Sequence, residues 1–263
     1  MRDLRVTLVQ TMLQWEDAAA NRKAIAAKLD PLRGTTDLIV LPEMFTTGFT
    51  MNTALAEAMD GPTVAWMREQ AAKADAAIYG SVIITEGGKT FNRGLFVTPD
   101  GTVNHYDKRH LFRFAHETDH YAAGQRRVVV EWREWRILLQ ICFDLRFPVF
   151  ARNRNIAGRG DYDAALYVAC WPEARRFPWS QLLVARAIEN QCYVVGVNRV
   201  GMDGKGIHYT GDSVALDPKG QVMAACTPAN DCITRAVLDA ASLADFRAKF
   251  PVGMEADGFD LNL

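Results

Sequence analysis

Short apolar runs alternate with segments of helical spacing along this chain of 263 residues. Runs such as DLIVL and WRILLQI are continuous and brief, which is typical of strands buried on both faces. The intervening segments carry apolar residues at helical spacing, and some are bounded by helix signals such as Pro62 and Gly34. The pattern predicts strands at residues 5–10, 37–41, 77–85, 92–98, 135–141, 163–169, 192–198, 212–216 and 233–238. It predicts helices at residues 17–33, 63–77, 147–158, 180–190 and 240–249.

The order strand–helix–strand–helix–strand occurs twice in this pattern, which indicates two related half-sheets. The sequence shows no Pro-, Gly- or Ser-rich linker between the halves, so we interpret residues 1–263 as one domain. Strands that alternate with helices predict a layered α/β fold. We therefore expect a four-layer α-β-β-α sandwich. The polar tail at about residues 250–263 should pack on the domain or in a dimer interface.

Composition and charge narrow the class of protein. The formal net charge is -1, so a broad basic field for nucleic acid or an anionic membrane surface is not expected. The sequence has neither a secretory leader pattern nor an apolar run near the roughly 18 residues of a membrane span. The five cysteines are odd in number and lack a CxxC pair, which argues against a disulfide framework or structural zinc. We expect a reduced, cytoplasmic setting and no metal.

Three residues with useful chemistry stand just after predicted strands or turns: Glu43, Lys108 and Cys142. Ligands of open α/β folds bind at the carboxyl ends of strands, so a shared site is reasonable. A lysine ammonium favours the thiolate of a nearby cysteine, and a carboxylate acts as a general base. The lysine and the N–H of Phe143 would then stabilise an oxyanion. Taken singly, each residue is better explained as a loop carboxylate, a solvated charge or a core thiol.

The local sequences around these residues resemble the nitrilase superfamily of carbon–nitrogen hydrolases. LPEMFTTGF resembles its glutamate motif and contains Glu43; YDKRHLF resembles its lysine motif and contains Lys108; ICFDLRFP resembles its cysteine motif and contains Cys142. The resemblance spans nearly the whole chain and implies an α-β-β-α sandwich, a Glu-Lys-Cys triad and no cofactor. It also implies a homodimer or a larger homo-oligomer. Glu117 matches a second glutamate that family members often place between the lysine and cysteine motifs.

Two rival interpretations stay open at this point. Residues 116–120 read HETDH and match HExxH, in which two histidines on one helical face bind zinc. The segment lacks helical apolar periodicity and a third ligand at a familiar spacing, which disfavours a zinc hydrolase. A non-catalytic relative that binds a ligand or a partner is the other alternative. The presence of all three triad residues argues against it.

The resemblance is closest to the ω-amidase branch, which hydrolyses the terminal amide of 2-oxoglutaramate and 2-oxosuccinamate through a cysteine thioester. Aliphatic nitriles, N-carbamyl compounds and deaminated glutathione are alternative substrates. A substrate carboxylate calls for a cation. The candidates are Arg113, Arg175, Arg176 and Arg199; Arg146 is disfavoured because it is expected to pair with Asp144. Aromatic walls are expected from Phe45, Trp171 and Tyr209.

Overall fold

A computed structural model describes residues 1–156 and 158–261. Its α-helices are α1 Ala18–Leu29, α2 Pro62–Ala74, α3 Glu117–His120, α4 Pro148–Ala151, α5 Arg176–Asn190 and α6 Ala240–Lys249. Its strands are β1 Leu4–Gln10, β2 Leu38–Val40, β3 Ala77–Glu86, β4 Lys89–Val97, β5 Val103–Asp107, β6 Val129–Trp132, β7 Trp135–Ile141, β8 Asn155–Ile156, β9 Arg159–Gly160, β10 Ala164–Ala169, β11 Tyr193–Asn198, β12 Val200–Met202, β13 His208–Thr210, β14 Val214–Leu216, β15 Val222–Ala225 and β16 Cys232–Leu238. In this part of the chain, none of the helices has both the length and the apolar character needed to cross a membrane.

The described residues form two six-stranded mixed sheets of related design. The first sheet has the order β16-β1-β2-β3-β4-β5, and the second has the order β15-β14-β11-β10-β7-β6. Strands β1, β2 and β3 are parallel to one another, as are β7, β10 and β11, and antiparallel strands flank both groups. The expectation of two related half-sheets is confirmed.

The two sheets pack face to face, with helices on the outside. Apolar side chains of both sheets, such as Val6 and Leu138, belong to one buried cluster. Helices α1 and α2 cover the outer face of the first sheet through side chains such as Ile25 and Met67. Helix α5 covers the second sheet, and its Leu183 side chain lies against β11. These layers are the expected α-β-β-α sandwich, driven by burial of the apolar faces of strands and helices.

The prediction of a helix at residues 147–158 is wrong. Only α4 is helical there, and the chain continues into the short β8–β9 hairpin; Ala157 lies outside the described residues. Asn153 explains the early stop, because its backbone N–H donates to the Asn190 side chain and its amide donates to the Tyr162 carbonyl. Such side-chain bonds compete with helical hydrogen bonding. The other predicted helices and strands are confirmed, with small shifts at their ends.

Candidate active site

The three motif residues meet where strands of both sheets end. Glu43 follows β2, Lys108 follows β5, and Cys142 follows β7. The Lys108 Nζ atom lies 2.7 Å from Glu43 Oε1, and both side chains are fully buried. Cys142 is also buried, close enough to both charges that they act on its pKa. The structure therefore brings together the three residues that were predicted to share a site.

Glu117 is a fourth member of this cluster. Its carboxylate accepts hydrogen bonds from Lys108 Nζ, at 3.0 and 3.1 Å, and from the Phe112 N–H at 2.6 Å. It is fully buried, so these donors replace the water that an ionised carboxylate needs. Lys108 is thus held between two carboxylates, in a fixed position beside the thiol.

The amide of Asn92 connects the two glutamates. Its nitrogen donates to Glu43 Oε1 at 2.8 Å and to Glu117 Oε1 at 3.1 Å. Asn92 is not among the residues predicted for the site; it was predicted only as part of a strand. Its one signal in the sequence is a polar side chain at the start of the predicted strand NRGLFVT. A polar residue at the start of a strand usually marks a sheet edge or a turn rather than a functional site.

Burial and charge together determine the protonation of this cluster. Burial raises the pKa of Cys142 well above its usual range, the Glu43 carboxylate raises it further, and Lys108 lowers it by less. Burial lowers the pKa of Lys108, but the charges of Glu117 and Glu43 outweigh burial and raise it well above its usual range. Burial also raises the pKa of Glu117. Lys108 thus favours the thiolate, as expected, but burial and the Glu43 charge raise the pKa of Cys142 by more, so the resting thiol is neutral.

Hydrogen bonds to Asp144 stabilise the turn that carries Cys142. Cys142 has a φ of 45°, in the left-handed region that residues other than glycine seldom adopt. The Asp144 carboxylate accepts from the Ile141 N–H at 3.0 Å and from the Tyr106 hydroxyl at 2.8 Å, and it contacts His110 Nδ1 at 2.8 Å. Tyr106 and His110 flank Lys108 in sequence. One carboxylate thus fixes the nucleophile turn against the segment that carries the lysine.

A cavity of ≈ 280 Å³ opens in front of Cys142. Aromatic side chains form much of its wall, and Arg146, Arg175 and Lys205 add positive charge. The Arg146 guanidinium stacks over the Trp171 ring at 5.0 Å. A partly apolar cavity with a few charged groups suits a small polar molecule that carries a negative charge.

Comparison with known proteins determines the family. The family model described as carbon-nitrogen hydrolase matches residues 5–248. The chain belongs to the carbon–nitrogen hydrolase family. The resemblance found in the sequence is therefore confirmed, and with it the class of enzyme.

Among relatives of this carbon–nitrogen hydrolase is the omega-amidase YafV of Escherichia coli (strain K12), 49% identical over 99% of this chain and 100% of that protein. The 2-oxoglutaramate amidase of Bacillus subtilis (strain 168) is 31% identical over 82% of this chain and 83% of that protein. Among solved structures, a CN-hydrolase superfamily protein of Xanthomonas campestris with an arsenic adduct in its active site is 50% identical. It has a TM-score of 0.98 and coverage of 100% of both chains.

The cavity of this hydrolase contains some of the predicted binding residues and excludes others. Trp171, Arg175 and Tyr209 line it. Phe45 does not: it is fully buried in the core and packs against Trp66, and the nearby Phe49 lines the cavity instead. Arg113 is exposed and lies outside the cavity lining. The aromatic side chain on this part of the cavity wall is therefore Phe49, four residues after Phe45.

Three arginines have positions or partners that differ from the predicted ones. Arg176 is exposed and pairs with Asp212 at 2.6 Å, and Arg199 is buried against backbone carbonyls and the Tyr209 ring. Both lie outside the cavity lining. The expected ion pair between Asp144 and Arg146 is wrong. Asp144 binds other partners, and within the described residues Arg146 has no carboxylate partner and faces the cavity.

The HExxH match loses its structural basis. His116 precedes the four-residue helix α3 with a φ of 61°, so His116 and His120 are not on one face of a continuous helix. Both histidines are exposed, and Glu117 is engaged by Lys108. Over residues 1–156 and 158–261, no group of three or more His, Cys, Asp or Glu is arranged to hold a metal. The segment supplies a carboxylate to the thiol site.

Proposed function

We propose that this carbon–nitrogen hydrolase is an ω-amidase that hydrolyses the terminal amide of 2-oxoglutaramate and 2-oxosuccinamate. The observation that carries the proposal is the buried cluster of Glu43, Lys108 and Glu117 beside Cys142, whose side chain lines a cavity that also contains arginines. The similarity of the chain to an omega-amidase and to a 2-oxoglutaramate amidase supports the same substrate class.

In the first half of the proposed reaction, Glu43 takes the proton of the Cys142 thiol as the sulfur attacks the amide carbon. The neutral resting thiol makes this base necessary. The oxyanion accepts hydrogen bonds from Lys108 and from the N–H of Phe143, which lies in the first turn of a short 3-10 helix, where N–H groups have no helical acceptor. Lys108 contacts both oxygens of Glu117, so one N–H turns to the oxyanion while the other contact holds.

In the second half, the proton held by Glu43 passes to the leaving nitrogen, the carbon–nitrogen bond breaks and ammonia departs. A thioester on Cys142 remains. Glu43, ionised again, takes a proton from water as the water oxygen attacks the thioester carbon. The carbon–sulfur bond breaks, the thiol regains its proton, and the carboxylic acid leaves. Glu117 holds Lys108 in place throughout, so we propose it as the fourth residue of the catalytic set.

The far end of the substrate carries a carboxylate, and Arg146 is the best-placed partner for it. Arg146 lies four residues after Cys142 on the same short 3-10 helix, and its guanidinium lines the cavity. Arg175 also lines the cavity, but it stacks over the rings of Phe112 and Phe114. Arginine binds carboxylates through two parallel hydrogen bonds, which suits a 2-oxo acid.

Ammonia release tests the substrate. The purified protein should hydrolyse 2-oxoglutaramate faster, by kcat/KM, than glutamine, an aliphatic nitrile or an N-carbamyl amino acid. A preference for the nitrile, or for the N-carbamyl compound, would assign the chain to another activity of the superfamily. A Cys142→Ala protein that kept full turnover would contradict the thioester route altogether.

We also propose a homodimer in the cytoplasm. The five cysteines are unpaired in the structure, which fits a reducing compartment. Large apolar side chains are exposed on α5, on β15 and just after α6, including Ile188, Val222 and Phe250. Exposed apolar groups of this kind are typical of protein interfaces. Light scattering on the purified protein should give twice the mass of the chain; the mass of one chain would contradict the dimer.

A further inference from the structure

A chain of hydrogen bonds runs from the backbone beside Glu43 to both carboxylates of the site. The Met44 N–H donates to Ser81 Oγ at 2.8 Å, and the Ser81 hydroxyl donates to Asn92 Oδ1 at 2.8 Å. The Asn92 nitrogen then donates to Glu43 Oε1 and Glu117 Oε1. Ser81 and Asn92 are fully buried, so water does not replace these contacts. Both amide hydrogens of Asn92 are therefore directed at carboxylates.

Ser81 determines which way the Asn92 amide points. The Ser81 oxygen already accepts from the Met44 N–H, and its own proton is donated to Asn92 Oδ1. A reversed amide would place Oδ1 against two carboxylate oxygens with no hydrogen between them. The strand register favours the contact, because Ser81 on β3 lies opposite Gly94 on β4, two residues from Asn92. Gly94 has no side chain to separate Ser81 from Asn92.

Asn92 sits where negative charge exceeds positive charge. Two carboxylates face a single ammonium, and burial and the Glu43 charge raise the pKa of Glu117 against the Lys108 charge, which lowers it. The other titratable groups near these carboxylates on neighbouring elements include Tyr79, Tyr121, Cys142 and Cys170. Each of these is uncharged at neutral pH, because burial raises its pKa. A neutral N–H donor between the carboxylates stabilises both ionised forms without adding charge.

We propose that Asn92 is a positioning residue, which aims the Glu43 carboxylate at the Cys142 thiol, and that Ser81 orients Asn92 for this task. The proposal rests on the proposed function in one respect, that Glu43 is the base. Without the amide, Glu43 and Glu117 each lose a donor while their mutual repulsion stays. Glu43 can then turn away from the thiol, and Glu117, whose pKa the Asn92 N–H lowers, holds its proton to a higher pH.

Asn92→Leu tests this, because leucine keeps the volume and removes both N–H donors. The pH profile of kcat/KM is measured with an amide that the wild-type protein hydrolyses. We expect kcat to fall about 100-fold at neutral pH, as for loss of an effective general base, with KM changed far less. The acid limb of the profile should move upward by about one pH unit. Ser81→Ala should shift the limb in the same direction by a smaller amount.

Asn153→Leu is the matched control. Asn153 is also a buried asparagine with hydrogen bonds from both ends of its amide, but its partners are Tyr162 and Asn190. Its loss should lower Tm and leave the acid limb unchanged. An Asn92→Leu protein with a wild-type acid limb would overturn the positioning role. A Glu43→Gln protein with full turnover would instead overturn the base, which separates failure of the proposed function from failure of this inference.

Discussion

At the scale of single residues, the Cys142 thiol is not activated by a lysine alone. Burial and the Glu43 charge raise its pKa, and Lys108 lowers it by less. A pre-formed thiolate would need no base for its attack, whereas a neutral thiol does. The arrangement therefore supports our proposal that Glu43 takes the thiol proton and that Lys108 acts on the oxyanion.

Glu43→Gln separates these two roles. Removing the Glu43 charge lowers the pKa of Cys142, because that charge raises it and Lys108 stays. The thiolate fraction at a given pH rises, so alkylation by iodoacetamide should begin at a lower pH than in the wild-type protein. Turnover should fall by about 100-fold or more, since the base is gone. Mass spectrometry locates the alkyl group, and Cys142→Ala is the control in which this modification disappears.

An unchanged alkylation profile in Glu43→Gln would show that the carboxylate does not act on the thiol. A profile moved to higher pH would reverse the sign of the interaction. Either result would contradict the electrostatic assignment, whatever happens to turnover.

Arg146→Gln tests the residue that we assign to the substrate carboxylate. Because a charge-assisted contact is lost, kcat/KM for 2-oxoglutaramate should fall about 100-fold, mainly through KM. Hydrolysis of a neutral amide of similar length should change little. Arg176→Gln is the control, since Arg176 is exposed and pairs with Asp212. Equal losses for the charged and neutral amides, or a selective loss in Arg175→Gln instead, would contradict the assignment to Arg146.

At the scale of elements, Asp144 links two segments that the site requires. It binds the N–H of Ile141 at the end of β7, and it binds Tyr106 at the end of β5. It also contacts both the N–H and the ring of His110. A carboxylate suits this position because all of its partners can donate hydrogen bonds. The link holds the lysine segment and the nucleophile turn at a constant separation.

Asp144→Asn should disturb both stability and turnover. The amide nitrogen of asparagine would face groups that donate, so at least one buried donor is left without an acceptor. We expect a loss of about 2 kcal/mol in the free energy of unfolding, and a Tm lower by roughly 5 °C. Activity should fall further than the folded fraction does. Asp119→Asn, at an exposed position, is the control; a comparable loss there, or none in Asp144→Asn, would contradict this role.

Much of the element order could be predicted from the sequence, and the misses have physical causes. The buried central strands are continuous apolar runs, so their pattern identified them. Strands β5, β6 and β15 lie at sheet edges, where one side needs no apolar partner, and their mixed sequences gave no clear signal. The helix wrongly predicted at residues 147–158 was ended by the tertiary bonds of Asn153, which sequence periodicity does not register.

Part of the site could also be predicted from the sequence. Glu43, Lys108 and Cys142 stand in distinctive local sequences, and the structure brings them together. Asn92 was missed because its role depends on Ser81 and Glu117, which lie in other parts of the chain. Phe45 was placed on the cavity wall because it follows a motif residue. The side-chain direction that buries it is set by packing against Trp66.

At the scale of the whole molecule, the two sheets are joined at both ends of their central strands. At the active-site end, Glu43 from the first sheet accepts a hydrogen bond from the Cys170 N–H of the second, at 2.8 Å. At the opposite end, Asp37 precedes β2 and is fully buried. It pairs with Arg2, Arg5 and Arg133, the last of which lies between β6 and β7 of the second sheet.

Asp37→Asn should loosen the end opposite the active site. Removing the carboxylate leaves three arginines without their shared partner; since two of these are substantially exposed, we expect a loss of about 2 kcal/mol in the free energy of unfolding. Urea unfolding monitored by circular dichroism measures it. Asp231→Asn removes an exposed pair with Lys28 and should change stability by less than about 0.5 kcal/mol. Equal effects in the two variants would contradict a special role for Asp37.

The hydrogen bond between Glu43 and Cys170 spans 127 residues of sequence and connects the two sheets. Neither half of the chain holds all of the proposed catalytic groups, because Glu43 and Lys108 come from the first half and Cys142 from the second. During refolding, each half can acquire helices and strands before the sheets dock, since local contacts form faster than distant ones. Ammonia release therefore reports on the docking of the halves, and its recovery marks the end of folding rather than its progress.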